Sequence, residues 1–450
     1  MSPTPAAVHP TTARRLLALL ADRQVAGRLP SVVAGVVRDG DLVWSDGYGD
    51  LGGVPDVTDV QYRIGSITKT FTAVLVLQLV RDGRLDLTRP ASEVLGDMGY
   101  ADRSLRSLLS HSSGMQAEPH GSWWERSDGV GWDALVAGHD GSAAVFPDGQ
   151  QYHYSNLGFA LLGETAARLH GTTWFDAVRR QILEPLGLRR TSYLPESPAA
   201  TGLSVDPYAG TLTAEPATDT AAMAPAGQLW STIGDLARYS VFLGEGHPDV
   251  LDRTWLELAS HPQSGDRRDH LGYAYGLGFQ LHRGGSGLLV GHTGSMPGFL
   301  AACLVDRPRR SGAVLLTNAT SGLEPGDLAR ALVEELEACE PTLPTPWTPT
   351  RTVPSELAEV LGVWHWGNTM FVMSLEDGEL VLGRNRDAWC RFEIRDAEIV
   401  GTSGYLAGET LHVVRRDDGT LSHLECATFV LTRTPYDPEA PIPGGAPEGS

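Results

Sequence analysis

The apolar positions of this chain change period several times, and each change marks an element. Residues 31–49 open with a β-branched run, Ser31-Val32-Val33-Ala34-Gly35-Val36-Val37. They turn at Asp39-Gly40 and return through Leu42-Val43-Trp44, the pattern of a β-hairpin. From Ser66 to Arg81 the period becomes helical, and Gly83 closes the segment. Phe71 to Val80 is apolar almost all round, with Thr72 and Gln78 the exceptions. Such a helix is expected to be buried on every side. Residues 100–260 carry helix and loop signals, among them Leu157 to His170 and Trp174 to Leu183, ahead of Pro185-Leu186-Gly187. Strand patterns return at Gly276 to His282, Gly287 to His292, Gly298 to Val305 and Gly312 to Asn318, and a helix follows over Pro325 to Cys339. Strands thus bracket a helical stretch. The pattern predicts an α/β domain with one antiparallel sheet completed from both ends and an all-helical insertion between them.

Residues 341–354 hold Pro341, Pro344, Pro346, Pro349 and Pro354, a semi-rigid linker. Beyond it, 355–437 alternate in short runs separated by turns such as Glu376-Asp377-Gly378 and Asp417-Asp418-Gly419. Seven or eight strands are expected there, hence a small β-barrel. The last stretch, 438–450, is rich in proline and glycine and is expected to be disordered. The predicted organisation is therefore a large first domain over 1–340, the linker, a barrel and a tail.

A net charge of -20 argues against nucleic acid and against an anionic membrane surface as partners. Cys303, Cys339, Cys390 and Cys426 are far apart in sequence, so no CxxC motif exists and reduced thiols are expected. Met1 to Pro10 has no basic region, and the apolar run Leu16 to Ala21 stops at Asp22. It predicts an amphipathic first helix rather than a signal peptide. With no long apolar span, a cytoplasmic protein is expected.

Basic composition changes the picture more sharply. Lys and Arg together number 35, and Lys69 is the one lysine. Arginine stays protonated at accessible pH, whereas a desolvated lysine can lose its proton. A position that keeps lysine in an arginine-biased chain is one that must become neutral. Ser66 lies three residues earlier, on the same helical face and at the helix N-terminus, which favours a developing negative charge. A serine hydroxyl needs an adjacent base to act as a nucleophile. Burial can bring a lysine into the range where it serves as one.

With Ser66-Ile67-Thr68-Lys69 in place, two further segments complete an ordered set: Tyr154-Ser155-Asn156 and His292-Thr293-Gly294. Over roughly residues 15–340 the chain resembles the serine β-lactamase and penicillin-binding-protein superfamily, nearest its class C-like esterases and D-peptidases. The resemblance implies Ser66 as nucleophile, Lys69 and Tyr154 in proton transfer with His292 near them, and Asn156, Thr293 and Gly294 around the substrate. It implies the backbone N–H groups of Ser66 and Ser295 as the oxyanion hole. His292 stands where dedicated β-lactamases usually have lysine. A histidine is partly protonated near pH 7 and is a weaker anchor for a substrate carboxylate. That departure fits esterases, D-amino-acid peptidases and penicillin-binding-protein-type thioesterases, which cyclise nonribosomal peptides. The thioesterases also pair a transpeptidase-like domain with a lipocalin-like barrel. Here Gly362-Val363-Trp364 resembles the lipocalin Gly-x-Trp, and Arg433 is the counterpart of an arginine that reads a substrate carboxylate.

His111 in Leu109-Ser110-His111-Ser112-Ser113-Gly114 reads as structural, and Trp123, Trp124 and Trp132 as loop packing. No G-x-S-x-G, HExxH or glycine-rich phosphate loop occurs, and acyl transfer on serine calls for no cofactor and no metal. The expected partner is a small-molecule or peptide acyl substrate, a carrier-bound peptidyl thioester among the candidates. A ligand-binding or sensor protein that uses the barrel is the alternative class. The acyl group, the acceptor and the oligomeric state stay open.

Overall fold

The computed structural model describes residues 7–266, 273–285, 287–344, 346–349, 352–384, 387–395 and 398–436. The tail expected to be disordered lies outside them. The chain divides into two compact units, Met1–Leu343 and Pro344–Ser450.

The first unit is built on an eight-stranded antiparallel sheet. Its strands are β1 (Ser31–Arg38), β2 (Asp41–Gly49), β3 (Ser264–Gly265), β4 (Tyr273–Tyr275), β5 (Gln280–Arg283), β6 (Leu288–Met296), β7 (Phe299–Asp306) and β8 (Ser311–Thr317). Their order is β2-β1-β8-β7-β6-β5-β4-β3, so the N-terminal hairpin pairs with the last strand, β8. The central strands read as continuous apolar runs because both faces are covered. Val32, Ala34 and Val36 pack with Leu16 and Leu20 of helix α1 (Pro10–Gly27) and with Leu328, Leu332 and Leu336 of the C-terminal helix of this unit, Pro325–Cys339. Val33, Val314 and Leu316 face the other core, together with helix α2 (Thr68–Arg81).

Helix α2 is buried from Thr68 to Leu79, and two of its polar side chains bond to neighbouring segments. Thr72 Oγ1 donates to Pro225 O at 2.9 Å and accepts from Trp174 Nε1 at 3.1 Å. Gln78 Nε2 donates to Val250 O at 2.9 Å. These bonds explain how an almost wholly apolar helix tolerates two polar positions in a core. Phe71 stacks on Tyr239 with centroids 4.0 Å apart.

The insertion is mainly helical, interrupted by a short hairpin, Leu203–Val205 with Leu212–Ala214, and by Trp230–Ser231, which pairs with Tyr62–Arg63. Its longest helix is α3 (Asn156–His170), packed on α2 and entered through Ser155, whose side chain caps the N–H of Gly158. One strand is shorter than its pattern predicts: Gly276 to Phe279 form a turn and β5 starts at Gln280. Gly278 has φ +88°, and a Cβ there would lie 2.1 Å from the Ala73 Cβ, so helix α2 sets this turn.

The second unit is a closed eight-stranded barrel spanning Gly362 to Thr432. Its interior packs Trp364, Phe371, Leu382, Phe392, Leu411, Leu424 and Leu431 in one cluster. Among the described residues no helix is long and apolar enough to cross a membrane.

Candidate active site

Ser66 lies in a 3-10 turn, Gly65–Ile67, that leads directly into α2. Gly65 has φ +52°, and a Cβ on it would meet Ser295 N at 2.7 Å. Gly294 is the reciprocal case: its Cβ would stand 1.9 Å from Ile64 O and 3.3 Å from Ser66 N. Two glycines therefore let strand β6 press against the Ser66 turn. They bring the backbone of Ser66 close to that of Ser295.

One helical turn on, Lys69 is fully buried. Its Nζ donates to Ser66 Oγ at 2.9 Å and to Ala226 O at 2.7 Å. It also lies 4.9 Å from the centre of the Tyr154 ring. Burial pushes its pKa down to about 7, against the upward pull of Glu118 and Glu125. Near neutrality the amine is thus half deprotonated while hydrogen-bonded to the serine hydroxyl. Burial drives the Tyr154 phenol well above its ordinary range, and its hydrogen bond with the Ser66 side chain offsets part of that rise. Tyr154 therefore stays protonated and can serve as a donor.

His292 sits beside this group, with its ring 6.4 Å from that of Tyr154. It is 1 % exposed. Its Nδ1 donates to Thr293 O at 2.5 Å, which leaves Nε2 to accept from the Tyr275 hydroxyl at 2.9 Å. Burial and the nearby Lys69 push its pKa down to about 3. The partly protonated ring expected from a free histidine is therefore corrected to a neutral one with both nitrogens engaged. Its ring packs beside those of Tyr154 and Tyr275. Thr293 is held by Gln280, whose Oε1 accepts from Thr293 N at 2.9 Å and from Thr293 Oγ1 at 3.1 Å.

Asn156 is buried, and its Nδ2 donates to Glu118 Oε1 at 2.7 Å. Glu118 Oε2 in turn accepts from Trp124 Nε1 at 2.7 Å, and Glu125 Oε2 from Trp123 Nε1 at 2.9 Å. These two glutamates, Tyr275 and Gln280 are site residues that motif reading does not find. His111, read as structural, packs its ring 4.0 Å from that of Tyr154, and its Nδ1 accepts from Ser155 N at 3.1 Å. It holds the tyrosine from one side. Tyr154, Tyr152 and His153 also line a polar cleft of about 660 Å³ with Gln150, Gln263 and Asp266.

Arg433 follows the last strand of the barrel. Its guanidinium donates to Val363 O at 2.9 Å, to Leu361 O at 3.0 Å and to Glu359 O. It lies 3.8 Å over the Trp364 ring. Three of its five donors are thus spent on backbone carbonyls, and Arg433 braces the strand carrying Gly362-Val363-Trp364. Among the described residues no group of three His, Cys, Asp or Glu side chains could hold a metal ion.

Comparison with known proteins bears on the same segments. A family model described as Beta-lactamase matches residues 16–338, and one described as a domain of unknown function (DUF7586) matches 353–433. Beta-lactamase-like protein 2 of Dictyostelium discoideum is 29% identical over 311 residues, covering 63% of this chain and 55% of that protein. Penicillin-binding protein 4 of Amycolatopsis lactamdurans is 30% identical over 335 residues, covering 68% of this chain and 86% of its own. The chain thus spans about half the length of the first relative and most of the second. Among solved structures, a D-stereospecific amidohydrolase from Streptomyces sp. matches with a TM-score of 0.62 at 26% identity, over 74% of this chain and 99% of the other. SurE with D-Leu matches with a TM-score of 0.59 at 24% identity, over 95% and 100%, a likeness of fold alone. The chain belongs to the β-lactamase family, in the superfamily of penicillin-binding-protein-like serine hydrolases.

Proposed function

We propose that this chain is a serine hydrolase or acyltransferase that forms an acyl-enzyme on Ser66, acting on ester, thioester or amide bonds of D-amino-acid or peptide-like acyl donors. The observation that carries this reading is the 2.9 Å bond between Lys69 Nζ and Ser66 Oγ, made by a lysine whose burial brings its pKa to about 7. Neutral Lys69 takes the serine proton as Oγ attacks the carbonyl carbon. The N–H groups of Ser66 and Ser295 receive the oxyanion, a contribution of typically about 3–4 kcal/mol per donor. Tyr154 delivers a proton to the leaving group and is reprotonated through Lys69. Water or an amine then attacks the acyl carbonyl, with the proton movements reversed, and frees Ser66. The D-stereospecific amidohydrolase among the similar structures supports a D-residue on the acyl side. Turnover of D- and L-amino-acid p-nitroanilides and of simple nitrophenyl esters, by the wild type and by Ser66→Ala and Lys69→Ala, tests the proposal. Both variants should lose at least about a thousandfold in kcat. Near-normal turnover by either one would refute the scheme.

A further inference from the structure

We infer that His111 is a positioning residue for Tyr154: it grips the chain on both sides of the tyrosine, covers its ring, and so governs the expulsion of leaving groups that need a proton. The inference rests on the Ser66 chemistry proposed above and adds the residue that aims its proton donor.

His111 follows the short helix Leu105–Leu109, one residue beyond Ser110, which caps it. Its φ is +53°, the left-handed conformation in which helices usually end on glycine or asparagine. The chain places an imidazole there instead and buries it completely. From this position His111 meets three successive residues. Its carbonyl accepts from His153 N at 2.7 Å. Its ring lies 4.0 Å from that of Tyr154, tilted by 33°. Its Nδ1 accepts from Ser155 N at 3.1 Å. A glycine would serve the turn and keep the carbonyl contact, but neither of the other two.

The proton on the ring is assigned by the same contacts. Nδ1 accepts, so the proton sits on Nε2. That nitrogen is buried without a hydrogen-bond partner, and the rings of Tyr152, Phe159 and Tyr275 lie 6.2, 5.2 and 4.5 Å from the imidazole. A second proton would set a donor against the Ser155 N–H. Burial, Lys69 and His292 also push the pKa well below the usual range of histidine. His111 therefore stays neutral, exchanges no proton itself and acts through Tyr154.

Tyr154 matters most where the departing atom is strongly basic. A nitrophenolate leaves unaided, whereas an alkoxide needs a proton from a donor within hydrogen-bond reach. Ser155 Oγ also donates to Gln116 O at 2.7 Å, and Asn156 N to Ala117 O at 2.8 Å. The segment thus keeps its course when His111 is replaced, and the aim of the phenol is what changes.

The test measures kcat/KM for two esters of one acyl group, p-nitrophenyl butyrate and ethyl butyrate, so that acyl recognition cancels. His111→Phe keeps a ring but has no acceptor for the Ser155 N–H. It should slow the ethyl ester about 10²-fold, the cost of misplacing a catalytic group by about 1 Å. The nitrophenyl ester, which needs no proton on its leaving group, should slow by about fivefold at most. His111→Asn keeps an acceptor and tolerates the left-handed backbone, and should recover at least about tenfold of the ethyl-ester loss. In a Tyr154→Phe background, His111→Phe should slow neither ester further, because the group it aims is gone. The inference is overturned if His111→Phe slows both esters equally or neither, if His111→Asn recovers nothing, or if the loss adds to that of Tyr154→Phe. Should circular dichroism show His111→Phe unfolded, His111→Gln, whose amide is displaced by one carbon, must show the same selective loss or the inference falls. Nitrophenyl-ester turnover that survives Ser66→Ala would instead remove the underlying reading, and the inference with it.

Discussion

Lys69 Nζ and Ser66 Oγ stand 2.9 Å apart, with the lysine wholly buried and the serine at the edge of solvent. The pair can exchange a proton only when the lysine arrives neutral. Its pKa is lowered to about 7, so the protonated fraction falls as pH rises through that value. The acylation rate, kcat/KM, should therefore climb about tenfold per unit below pH 7 and level off above it. A pH–rate profile with an N-acyl nitrophenyl ester checks this. A flat profile between pH 6 and 8 would remove Lys69 as the base.

The same group sets a stability difference. Between pH 7 and 10.5 the unfolded chain holds a proton on Lys69 that the folded chain lacks, so folding stability rises with pH across that window. The burial penalty is complete below pH 7 and fades above it. Relative to Lys69→Met, the wild type should gain about 3 kcal/mol from pH 6 to pH 9. Denaturant melts of the two proteins at both pH values measure this, and the difference cancels every other titrating group.

Gly294 offers a test of the oxyanion geometry. A Cβ there would lie 1.9 Å from Ile64 O, so Gly294→Ala must push β6 away from the Ser66 turn. The acylation rate should fall by about 10²–10³, the amount lost when an oxyanion donor is misplaced. Substrate binding should weaken far less. Pre-steady-state burst kinetics separate the two. An equal loss in both would place the damage elsewhere.

Much of this site is legible in sequence because it is local. Ser66 and Lys69 share a helical turn, and the all-apolar stretch after them announces burial. The strand carrying His292, Thr293 and Gly294 follows from its apolar pattern, although it runs on to Met296. Glu118 has no such signal: it lies in an irregular loop, and its partner Asn156 is 38 residues away. Tyr275 reaches His292 across the sheet, 17 residues apart, by way of a turn fixed by Gly278 against helix α2. The neutral state of His292 is likewise a product of tertiary burial, which residue type alone does not reveal. In the barrel, Gly-x-Trp is readable, but the capture of Arg433 by three carbonyls appears only once the strands close.

That capture is testable in its own right. Arg433→Ala leaves the carbonyls of Glu359, Leu361 and Val363 without their donor and uncovers Trp364. The barrel should lose about 1–3 kcal/mol of stability. Thermal unfolding followed by Trp fluorescence reads this directly. An unchanged melt together with a selective loss of turnover on carboxylate-bearing substrates would instead assign Arg433 a substrate-reading role.

The acyl-enzyme itself is the claim on which the rest depends, and intact-protein mass spectrometry addresses it without assuming a substrate. Mixing the wild type and Ser66→Ala with an activated acyl ester, quenching in acid and weighing the protein should reveal one added acyl group. The adduct should map to the peptide containing Ser66 and be absent in the variant. An unmodified wild type that still turns the ester over, or an adduct of the same size on Ser66→Ala, would contradict nucleophilic catalysis by Ser66.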